Sequence, residues 1–258
     1  MRIDQLLVSR GLASTRSQAQ RLIASGVRWK NEGTWKRVAK NGDDVVLDAE
    51  IELLDNAEAR FVSRGGLKLE GALAHLGLSV AGAVCLDLGQ STGGFTDCLL
   101  QRGAAHVVGV DVGFGQLHEQ LRRDSRVTCL ERMNARSLDA SEVQAALAGS
   151  GFAGAADEAG FDLIVGDLSF ISQTLVLPAA VPILKPAGAV LMLVKPQFEL
   201  QPGQVGKGGI VTDAGLFDIV ERRIRAAHEA LGLVVKAFFE SSIQGGDGNR
   251  EFFIYSVR

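Results

Sequence analysis

The sequence predicts an α/β protein in which a small N-terminal α+β domain precedes a Rossmann-like parallel sheet. Three observations support this fold class. From residue 83 onward, short apolar runs alternate with amphipathic segments, as in a parallel sheet covered by helices on both faces. The first of these runs, 84–88, leads through a glycine turn into a helical segment, which is typical of the ligand-binding edge of an open sheet. The first 40 residues also differ in charge from the rest of the chain.

The charge is divided unevenly along the chain. Residues 1–40 contain nine Lys and Arg against two Asp and Glu, whereas residues 41–258 contain 18 basic and 28 acidic residues. A basic segment on an acidic protein favours a polyanionic partner, most commonly nucleic acid. The alternative is an ordinary solvated surface rich in lysine and arginine.

Composition excludes several classes of protein. A chain of 258 residues with 47% hydrophobic content can bury one large core and carry a small appendage. The longest apolar run, 187–194, has the length of a strand, so no membrane span is predicted. Cys85, Cys98 and Cys129 lie in apolar or amphipathic segments without metal-ligand spacing. We therefore expect reduced cysteines, no metal site and a cytoplasmic location.

The N-terminal segment combines helices with short strands. Apolar residues at helical spacing predict one helix over 2–13 and a second over 18–25, capped by the polar residues 14–17. Strands are predicted over 27–30 and 45–53, the latter alternating around Val46, Leu47 and Ile51.

The run RIDQLLVSRGLASTRSQAQRLIASGVRW resembles the S4 RNA-binding domain. The sequence departs from that pattern after Val27, where Trp29 and Trp35 could stack on bases or cover the small core. The resemblance implies an S4-like domain over 1–58, followed by a linker over 59–64 and a second domain over 65–258. It implies RNA contacts for the following residues: Arg2, Arg10, Arg16, Ser17, Arg21, Arg28, Lys30 and Arg64.

The glycine turn after the predicted strand 83–88 predicts a ligand site. Glycines here let the backbone come close to a ligand, but the run matches neither G-x-G-x-x-G nor G-K-[ST]. Asp87 at the strand end suits a cationic ligand, which favours S-adenosylmethionine over a pyrophosphate. A turn that only connects two elements is the alternative.

The next strand ends supply further candidates. Asp111 ends strand 107–112 about 20 residues after the turn, where the ribose of an adenosine ligand is held. Asn134 follows strand 127–130 and could meet the adenine or be a polar turn residue. The predicted S-adenosylmethionine-binding residues are Asp87, Gly89, Ser91, Thr92, Gly93, Gly94, Phe95, Asp111, Val112, Asn134, Ala135 and Asp167.

The C-terminal part continues the alternation. Strand 161–167 ends in Asp167, and strand 189–194 is followed by Lys195. Residues 145–160 predict a loose connection after a helix that begins near Ser141, and the glycine-rich residues 201–210 predict a mobile loop that could gate a substrate. A final strand pair, 234–239 and 252–257, favours the methyltransferase form of this fold over the dehydrogenase form.

Four ionisable residues lie at element edges or starts: Lys68, Asp167, Lys195 and Glu251. In the contexts SRGGLKL, VGDLSF, VKPQFE and GNREFF they resemble the Lys-Asp-Lys-Glu tetrad of FtsJ-like RNA ribose 2′-O-methyltransferases. With the S4-like segment, this arrangement resembles the hemolysin A (TlyA) family over essentially the whole chain. Gln90, where relatives usually have a small residue, and Met133 are mild departures.

The resemblance implies an S-adenosylmethionine-dependent enzyme that methylates cytidine in ribosomal RNA. The large subunit is the expected target, with the small subunit as a further one; the absence of basic extensions favours the large subunit alone. The expected partner is ribosomal RNA or a ribosomal subunit, with no membrane and no obligate protein partner. Alternatives are a non-catalytic RNA-binding protein and, less favoured, a membrane-lytic hemolysin or a nicotinamide oxidoreductase.

The tetrad has a chemical rationale. A ribose 2′-hydroxyl is a poor nucleophile and must lose its proton as it attacks a methyl carbon. A lysine amine in water is protonated at neutral pH, so a nearby cation and partial burial are needed to make it a base. We expect Lys195 to be the base, Asp167 to orient it, and Lys68 and Glu251 to tune the site and anchor the ribose. The alternative is that both lysines only contact phosphate.

Overall fold

The computed structural model describes residues 1–13, 15–31, 33–54, 60–152 and 160–258. The chain divides into two compact units, Met1–Leu67 and Lys68–Arg258. The predicted domain boundary at residue 58 and the first residue of the predicted linker lie outside the described residues, as do residues 153–159 of the predicted loose connection. The domain limits of 1–58 and 65–258 therefore stay predictions.

The N-terminal unit is an α+β fold. Its elements are α1 (Ile3–Ser9), α2 (Arg16–Gly26), β1 (Val27–Asn31), β2 (Thr34–Arg37) and β3 (Ile51–Leu53). The strands form an antiparallel sheet in the order β2-β1-β3. Thr15 caps α2 by accepting a hydrogen bond from the backbone N–H of Gln18. Apolar faces of both helices and one face of the sheet form its core.

The predicted strand over 45–53 is wrong for its first six residues. Only Ile51–Leu53 is a strand; a turn closes where Ala49 N donates to the carbonyl of Val46. The guanidinium of Arg10 donates to the carbonyls of Leu47 and Ala49, which occupies the groups that a strand partner would bind. Val46 and Leu47 are consequently exposed.

The C-terminal unit contains a seven-stranded sheet within the described residues, in the order β6-β5-β4-β7-β8-β10-β9. Its strands are β4 (Val84–Leu88), β5 (His106–Asp111), β6 (Val127–Glu131), β7 (Phe161–Gly166), β8 (Leu184–Val194), β9 (Val234–Glu240) and β10 (Phe252–Val257). Its helices are α3 (Gly65–Leu76, which begins in the N-terminal unit), α4 (Gly94–Gln101), α5 (Glu119–Arg122), α6 (Ala140–Gly149), α7 (Leu177–Ala180), α8 (Pro196–Glu199) and α9 (Ala214–Ala230). The predicted Rossmann-like fold class is confirmed.

Strand directions define the site. Strands β4 to β8 are parallel, whereas β10 is antiparallel to both β8 and β9, which confirms the predicted C-terminal strand pair. Strand β4 lies between β5 and β7, so the chain reverses its direction of travel across the sheet at β4. Such a switch point leaves a crevice at the carboxyl ends of the strands, where ligands bind. Among the described residues, no helix is long and apolar enough to span a bilayer.

Candidate active site

A cavity of about 370 Å³ lies at the carboxyl ends of β4, β5 and β7. Seven of the predicted S-adenosylmethionine-binding residues line it: Gly89, Ser91, Asp111, Val112, Asn134, Ala135 and Asp167. Sequence reasoning missed the other described lining residues: Val110, Gln116, Met133, Leu168, Ser169, Phe170, Ile171 and Val176. Four of these eight form the run Leu168–Ile171 directly after Asp167, and this run had a local signal, the VGDLSF motif.

The glycine turn brings the backbone against the cavity wall. Gly89 has φ 80°, and a Cβ on it would lie 3.1 Å from the carbonyl oxygen of Asp167. Gly93 has φ 97°, and its Cβ would lie 2.4 Å from a side-chain carbon of Leu121. Both positions require glycine, because another residue would be strained in this conformation and would displace its neighbours.

Asp111 and Asn134 each have a structural role besides lining the cavity. One carboxylate oxygen of Asp111 accepts the backbone N–H of Ser91 and the other accepts that of Gly113, both at 2.7 Å. Asp111 therefore joins the glycine turn to the loop after β5. Asn134 accepts the backbone N–H of Arg136 at 3.0 Å and caps a short 3₁₀ helix. Asn134 is thus a polar turn residue on the cavity wall, and its contact with adenine stays a prediction.

Five predicted residues lie outside the cavity lining that the structure describes: Asp87, Thr92, Gly93, Gly94 and Phe95. Asp87 is buried and accepts the backbone N–H and the hydroxyl of Thr96, at 3.1 and 2.7 Å. Burial raises the pKa of Asp87 to about 7. Among the described residues, its Oδ1 atom has no hydrogen-bond partner. Phe95 packs on Phe253, with ring centroids 6.3 Å apart.

Gln90, the departure from the family pattern, is buried beneath the turn. Its amide nitrogen donates to the hydroxyl of Thr96 at 2.9 Å, which extends the hydrogen-bond chain to Asp87. Its side chain occupies the space beside Gly109 in β5, where a Cβ would lie 2.0 Å from the Gln90 amide. The larger residue at position 90 is therefore accommodated by the absence of a side chain at position 109.

Gly109→Ala is expected to destabilise the protein by about 1–3 kcal/mol, because the added methyl overpacks a closed space. In the double variant Gln90→Ser/Gly109→Ala the smaller residue 90 makes room for that methyl. The free energy of unfolding in urea is measured for both single variants and the double variant. We expect the double variant to be more stable than the sum of the single effects; strict additivity would contradict the packing explanation.

The tetrad residues come together at one edge of the cavity. Lys68 lies on α3, Asp167 follows β7, Lys195 follows β8 and Glu251 precedes β10. The amine of Lys195 lies 2.6 Å from Asp167 Oδ1 and donates to the Ser169 hydroxyl at 2.8 Å. The amine of Lys68 lies 2.6 Å from Glu251 Oε2 and 4.0 Å from Asp167 Oδ2. Asp167 is thus shared between two ammonium groups and also lines the cavity.

Burial distinguishes the two ion pairs. The side chains of Lys68 and Glu251 are 9% and 3% exposed, so this pair is closed off from solvent. Burial raises the pKa of Glu251, and the charge of Lys68 opposes that rise. Asp167 is more open, with a side chain 22% exposed. The arrangement can therefore hold a lysine amine in a fixed direction at the cavity edge, backed by a buried ion pair.

A buried polar network supports the loop that carries Asp167. The carboxylate of Glu199 on α8 accepts the hydroxyl of Ser172 and, at 3.0 Å, the backbone N–H of Gln173. His228 contacts the Gln173 amide at 3.4 Å and Ser256 at 2.8 Å. Burial lowers the pKa of His228 to about 4, so it is neutral at physiological pH. The loop after β7 is thereby tied to α8 and to β10.

The N-terminal unit holds most of its predicted RNA-binding residues in intramolecular contacts. Arg2 and Arg16 both pair with the buried Asp4 at 2.9 Å, and the hydrogen bonds from Arg2 hold the pKa of Asp4 well below its usual range. Arg28 pairs with Glu52 at 2.7 Å, and Lys30 with Glu50 at 3.0 Å. Arg10 binds the two carbonyls described above. The remaining predicted residues lie on α2 or just before α3: Ser17, Arg21 and Arg64.

The two tryptophans have different surroundings. Trp29 packs against the core of the N-terminal unit, as expected if it covers the core rather than stacking on a base. Trp35 is half-buried and lies 4.8 Å from the Arg28 guanidinium and 5.8 Å from the Lys30 amine, measured to its ring centroid. Cations over the ring face are attracted to it, so Trp35 fixes two basic groups on one surface.

Comparison with known proteins agrees with both units. The model of the FtsJ-like methyltransferase family matches residues 61–258, and that of the S4 domain matches residues 1–26. The 16S/23S rRNA (cytidine-2′-O)-methyltransferase TlyA of Mycobacterium tuberculosis is 42% identical over 255 residues, covering 98% of this chain and 88% of the relative. The chain belongs to the TlyA family of FtsJ-like methyltransferases. The predicted family and the predicted methyltransferase class are therefore confirmed.

Other proteins also resemble this chain over most of their length. Hemolysin A of Brachyspira hyodysenteriae is 35% identical over 263 residues, which covers 100% of both chains. A solved structure from Streptococcus thermophilus is 39% identical with a TM-score of 0.73, covering 100% of this chain and 88% of that one. Fibrillarin from Aeropyrum pernix, solved with S-adenosyl-L-methionine, has a TM-score of 0.51, 18% identity and coverage of 75% and 76%, so it shows the fold alone.

Proposed function

We propose that this protein transfers a methyl group from S-adenosylmethionine to the ribose 2′-oxygen of a cytidine in ribosomal RNA. The observation that supports this most strongly is the cluster of Lys68, Asp167, Lys195 and Glu251 at the edge of the cavity. The relative from Mycobacterium tuberculosis is named for 16S and 23S rRNA, and one from Campylobacter jejuni for 23S rRNA. We propose the large subunit as the main target and the small subunit as a further one, with the enzyme acting in the cytoplasm.

The cavity residues fit S-adenosylmethionine. Gly89 lines the cavity and lets its backbone pack closely on that of Asp167, and Asp111 and Asp167 line the same cavity, where their carboxylates suit hydroxyl and cationic groups. Behind the cavity wall, the buried Asp87 has one carboxylate oxygen that no group in the described part of the chain hydrogen-bonds. We propose that Asp111 holds the ribose and Asn134 the adenine. When bound, this cofactor supplies a methyl group on a positively charged sulfur, which is activated for nucleophilic attack.

The proposed mechanism assigns proton transfer to Lys195. Lys195, with its amine uncharged, would accept the proton that the RNA 2′-hydroxyl loses as it receives the methyl group, and bound S-adenosylmethionine would supply that methyl group and leave as a neutral thioether. Asp167 and Ser169 fix the direction of that amine. The buried pair of Lys68 and Glu251 places a second ammonium group 4.0 Å from Asp167, which helps to hold that carboxylate in place.

We propose that the N-terminal unit binds the RNA. Carboxylates hold the side chains of Arg2, Arg16 and Arg28 in place. Less side-chain conformational entropy is therefore lost when these guanidinium groups bind RNA phosphates. The basic residues are concentrated in residues 1–40, with nine Lys and Arg against two Asp and Glu, whereas the whole unit, residues 1–67, has a net charge of +2. Binding by such a surface weakens as salt rises, because counterions are released from the RNA.

The decisive experiment measures methyl transfer from radiolabelled S-adenosylmethionine to unmethylated large and small ribosomal subunits and to their naked RNAs. We expect label within an alkali-stable dinucleotide, because a 2′-O-methyl group blocks cleavage of the adjacent phosphodiester. Absence of label from all four substrates, with cofactor binding demonstrated separately, would favour a non-catalytic RNA-binding protein.

Phe170 is a candidate for stacking on the target base. Its side chain is 90% exposed, its backbone has φ 64°, and it lies at the cavity with its ring centroid 5.1 Å from that of Phe198. An exposed aromatic ring beside the cavity offers a stacking surface for any nucleobase.

Phe170→Ala is expected to raise KM for RNA by roughly tenfold or more, since stacking on an aromatic residue contributes about 1–3 kcal/mol per base. Phe170→Trp keeps the stacking surface and should retain near-normal KM. Steady-state kinetics on the RNA substrate test both variants, and thermal unfolding should hardly change because the side chain is exposed. Equal losses in the Ala and Trp variants would argue for a shape requirement instead.

A further inference from the structure

The glycine-rich loop between α8 and α9 has a bonded turn at its centre. Gly206 N–H donates to the carbonyl of Ile210 at 3.0 Å, and Gly209 N–H donates to that of Gly206 at 3.1 Å. Gly208 and Gly209 have φ of 75° and 81°, and a Cβ on Gly206 would lie 2.8 Å from the Ile210 carbonyl oxygen. The segment 206–211 therefore has a defined shape that depends on its glycines.

Asn249, two residues before Glu251, fastens this loop. It is 1% exposed. Its side-chain oxygen accepts the backbone N–H of Val211 at 2.9 Å, and its amide donates to the carbonyl of Gly209 and to Asp247 Oδ2, both at 2.9 Å. Both amide protons are used, so the side chain pairs with the loop backbone much as a neighbouring strand would.

The residues around Asn249 contact segments next to two tetrad residues, Lys195 and Glu251. Asp247 also accepts the side-chain amide of Gln197 at 3.1 Å, and Gln197 lies on α8, two residues after Lys195. On the other side, a Cβ on Gly245 would lie 2.7 Å from Asp247 Oδ1 and 2.8 Å from Glu251 Oε1. The turn 245–249 thus packs directly on the Glu251 carboxylate, and its shape is set by Asn249 and Asp247.

We propose that Asn249 is a positioning residue, which holds loop 206–211 and turn 245–249 together. By fixing this turn it keeps the carboxylate of Glu251 paired with the amine of Lys68. The two segments form the side of the active site that contacts RNA. The described lining of the cofactor cavity includes no residue of either segment, whereas turn 245–249 lies against the tetrad at Glu251. This inference rests on the proposed function for its RNA substrate. The fastening of the loop itself does not depend on it.

The experiment compares Asn249→Ala with three other variants of the full chain. Asn249→Asp keeps the acceptor for Val211 but loses both donated bonds and places a carboxylate beside Asp247. Gly206→Ala distorts the loop turn on the exposed surface, so it disturbs the loop even if Asn249 variants fold poorly. Gln204→Ala is the matched control, since its side chain bonds only within the exposed start of the loop.

Two readouts are measured on folded protein. The first is the rate of tryptic cleavage after Lys207, an exposed residue at the loop tip, which needs no activity. The second is kcat and KM for RNA, together with the Kd for S-adenosylmethionine. We expect Asn249→Ala, Asn249→Asp and Gly206→Ala to be cleaved roughly tenfold faster and to lose at least roughly tenfold in kcat/KM for RNA, because the hydrogen bonds or the turn that fasten the loop are lost. The cofactor Kd should be unchanged. Gln204→Ala should match the wild type.

Three outcomes would overturn the inference. Unchanged cleavage in the Asn249 variants would show that this side chain does not fasten the loop. Faster cleavage with unchanged kcat/KM would show that the loop has no part in RNA turnover. A parallel loss of cofactor affinity would indicate general unfolding of the site. Failure of the proposed function is distinguishable, because the wild-type enzyme itself would then transfer no methyl group to RNA while the cleavage comparison still reports on the loop.

Discussion

Replacing Lys195 by alanine is expected to abolish methyl transfer, with a fall in kcat of about 10²–10⁴-fold, the usual contribution of a positioned acid or base. The affinity for S-adenosylmethionine should remain nearly unchanged, because Lys195 is absent from the described lining of the cavity. The reason for the loss is that the RNA 2′-hydroxyl would have no group aligned to take its proton. Single-turnover kinetics with saturating RNA and cofactor, beside a cofactor titration, measure the two quantities separately.

Lys195→Arg separates the base from a phosphate contact. A guanidinium keeps the positive charge that would bind phosphate, but it cannot be deprotonated in a protein and so cannot act as a base. We expect Lys195→Arg to be as inactive as Lys195→Ala. Recovery of kcat in the arginine variant, with only KM raised in the alanine variant, would establish the phosphate role instead. Lys236→Ala, at an exposed position on the edge strand β9, is the matched control and should retain wild-type activity.

Removing the carboxylate of Glu251 is expected to cost stability as well as activity. Glu251→Ala leaves the amine of Lys68 buried without its partner at 2.6 Å, with only Asp167 at 4.0 Å to compensate. Breaking a buried ion pair in this way typically destabilises a protein by about 3–5 kcal/mol. Urea unfolding of the wild type and the variant, monitored by fluorescence, gives the difference in free energy of unfolding.

The double variant Lys68→Met/Glu251→Leu separates folding from chemistry. Apolar residues of similar size remove both charges together, so most of the lost stability should return. Methyl transfer should stay undetectable, because the anchoring charges are gone. If the double variant were no more stable than Glu251→Ala, the cost would lie in packing at these positions rather than in an unpaired buried charge.

Local sequence patterns were sufficient to predict the fold class and the strand-end residues that line the cavity. The apolar run of β4 and the glycines after it restrict the backbone within a few residues, and parallel strands bring Asp111, Asn134 and Asp167 to the same edge wherever the sheet forms. The tetrad was identified from its four short contexts through the family resemblance. By contrast, the strand predicted over 45–53 failed because Arg10, more than 30 residues away, binds the carbonyls of that segment.

The sequence by itself predicted most element types, the strand-end acids and the four candidate tetrad residues, since these predictions depend on short-range patterns and on a family resemblance. Only the tertiary structure decided which of them touch. Lys68 meets Glu251 because β10 inserts between β8 and β9, and Gln90 is accommodated because β5 presents Gly109 beneath it. The role of Asn249 also appears only in three dimensions, where its amide meets a loop about 40 residues earlier in the chain. Such contacts are set by strand order and packing across the core, and residue spacing along the chain carries no record of either.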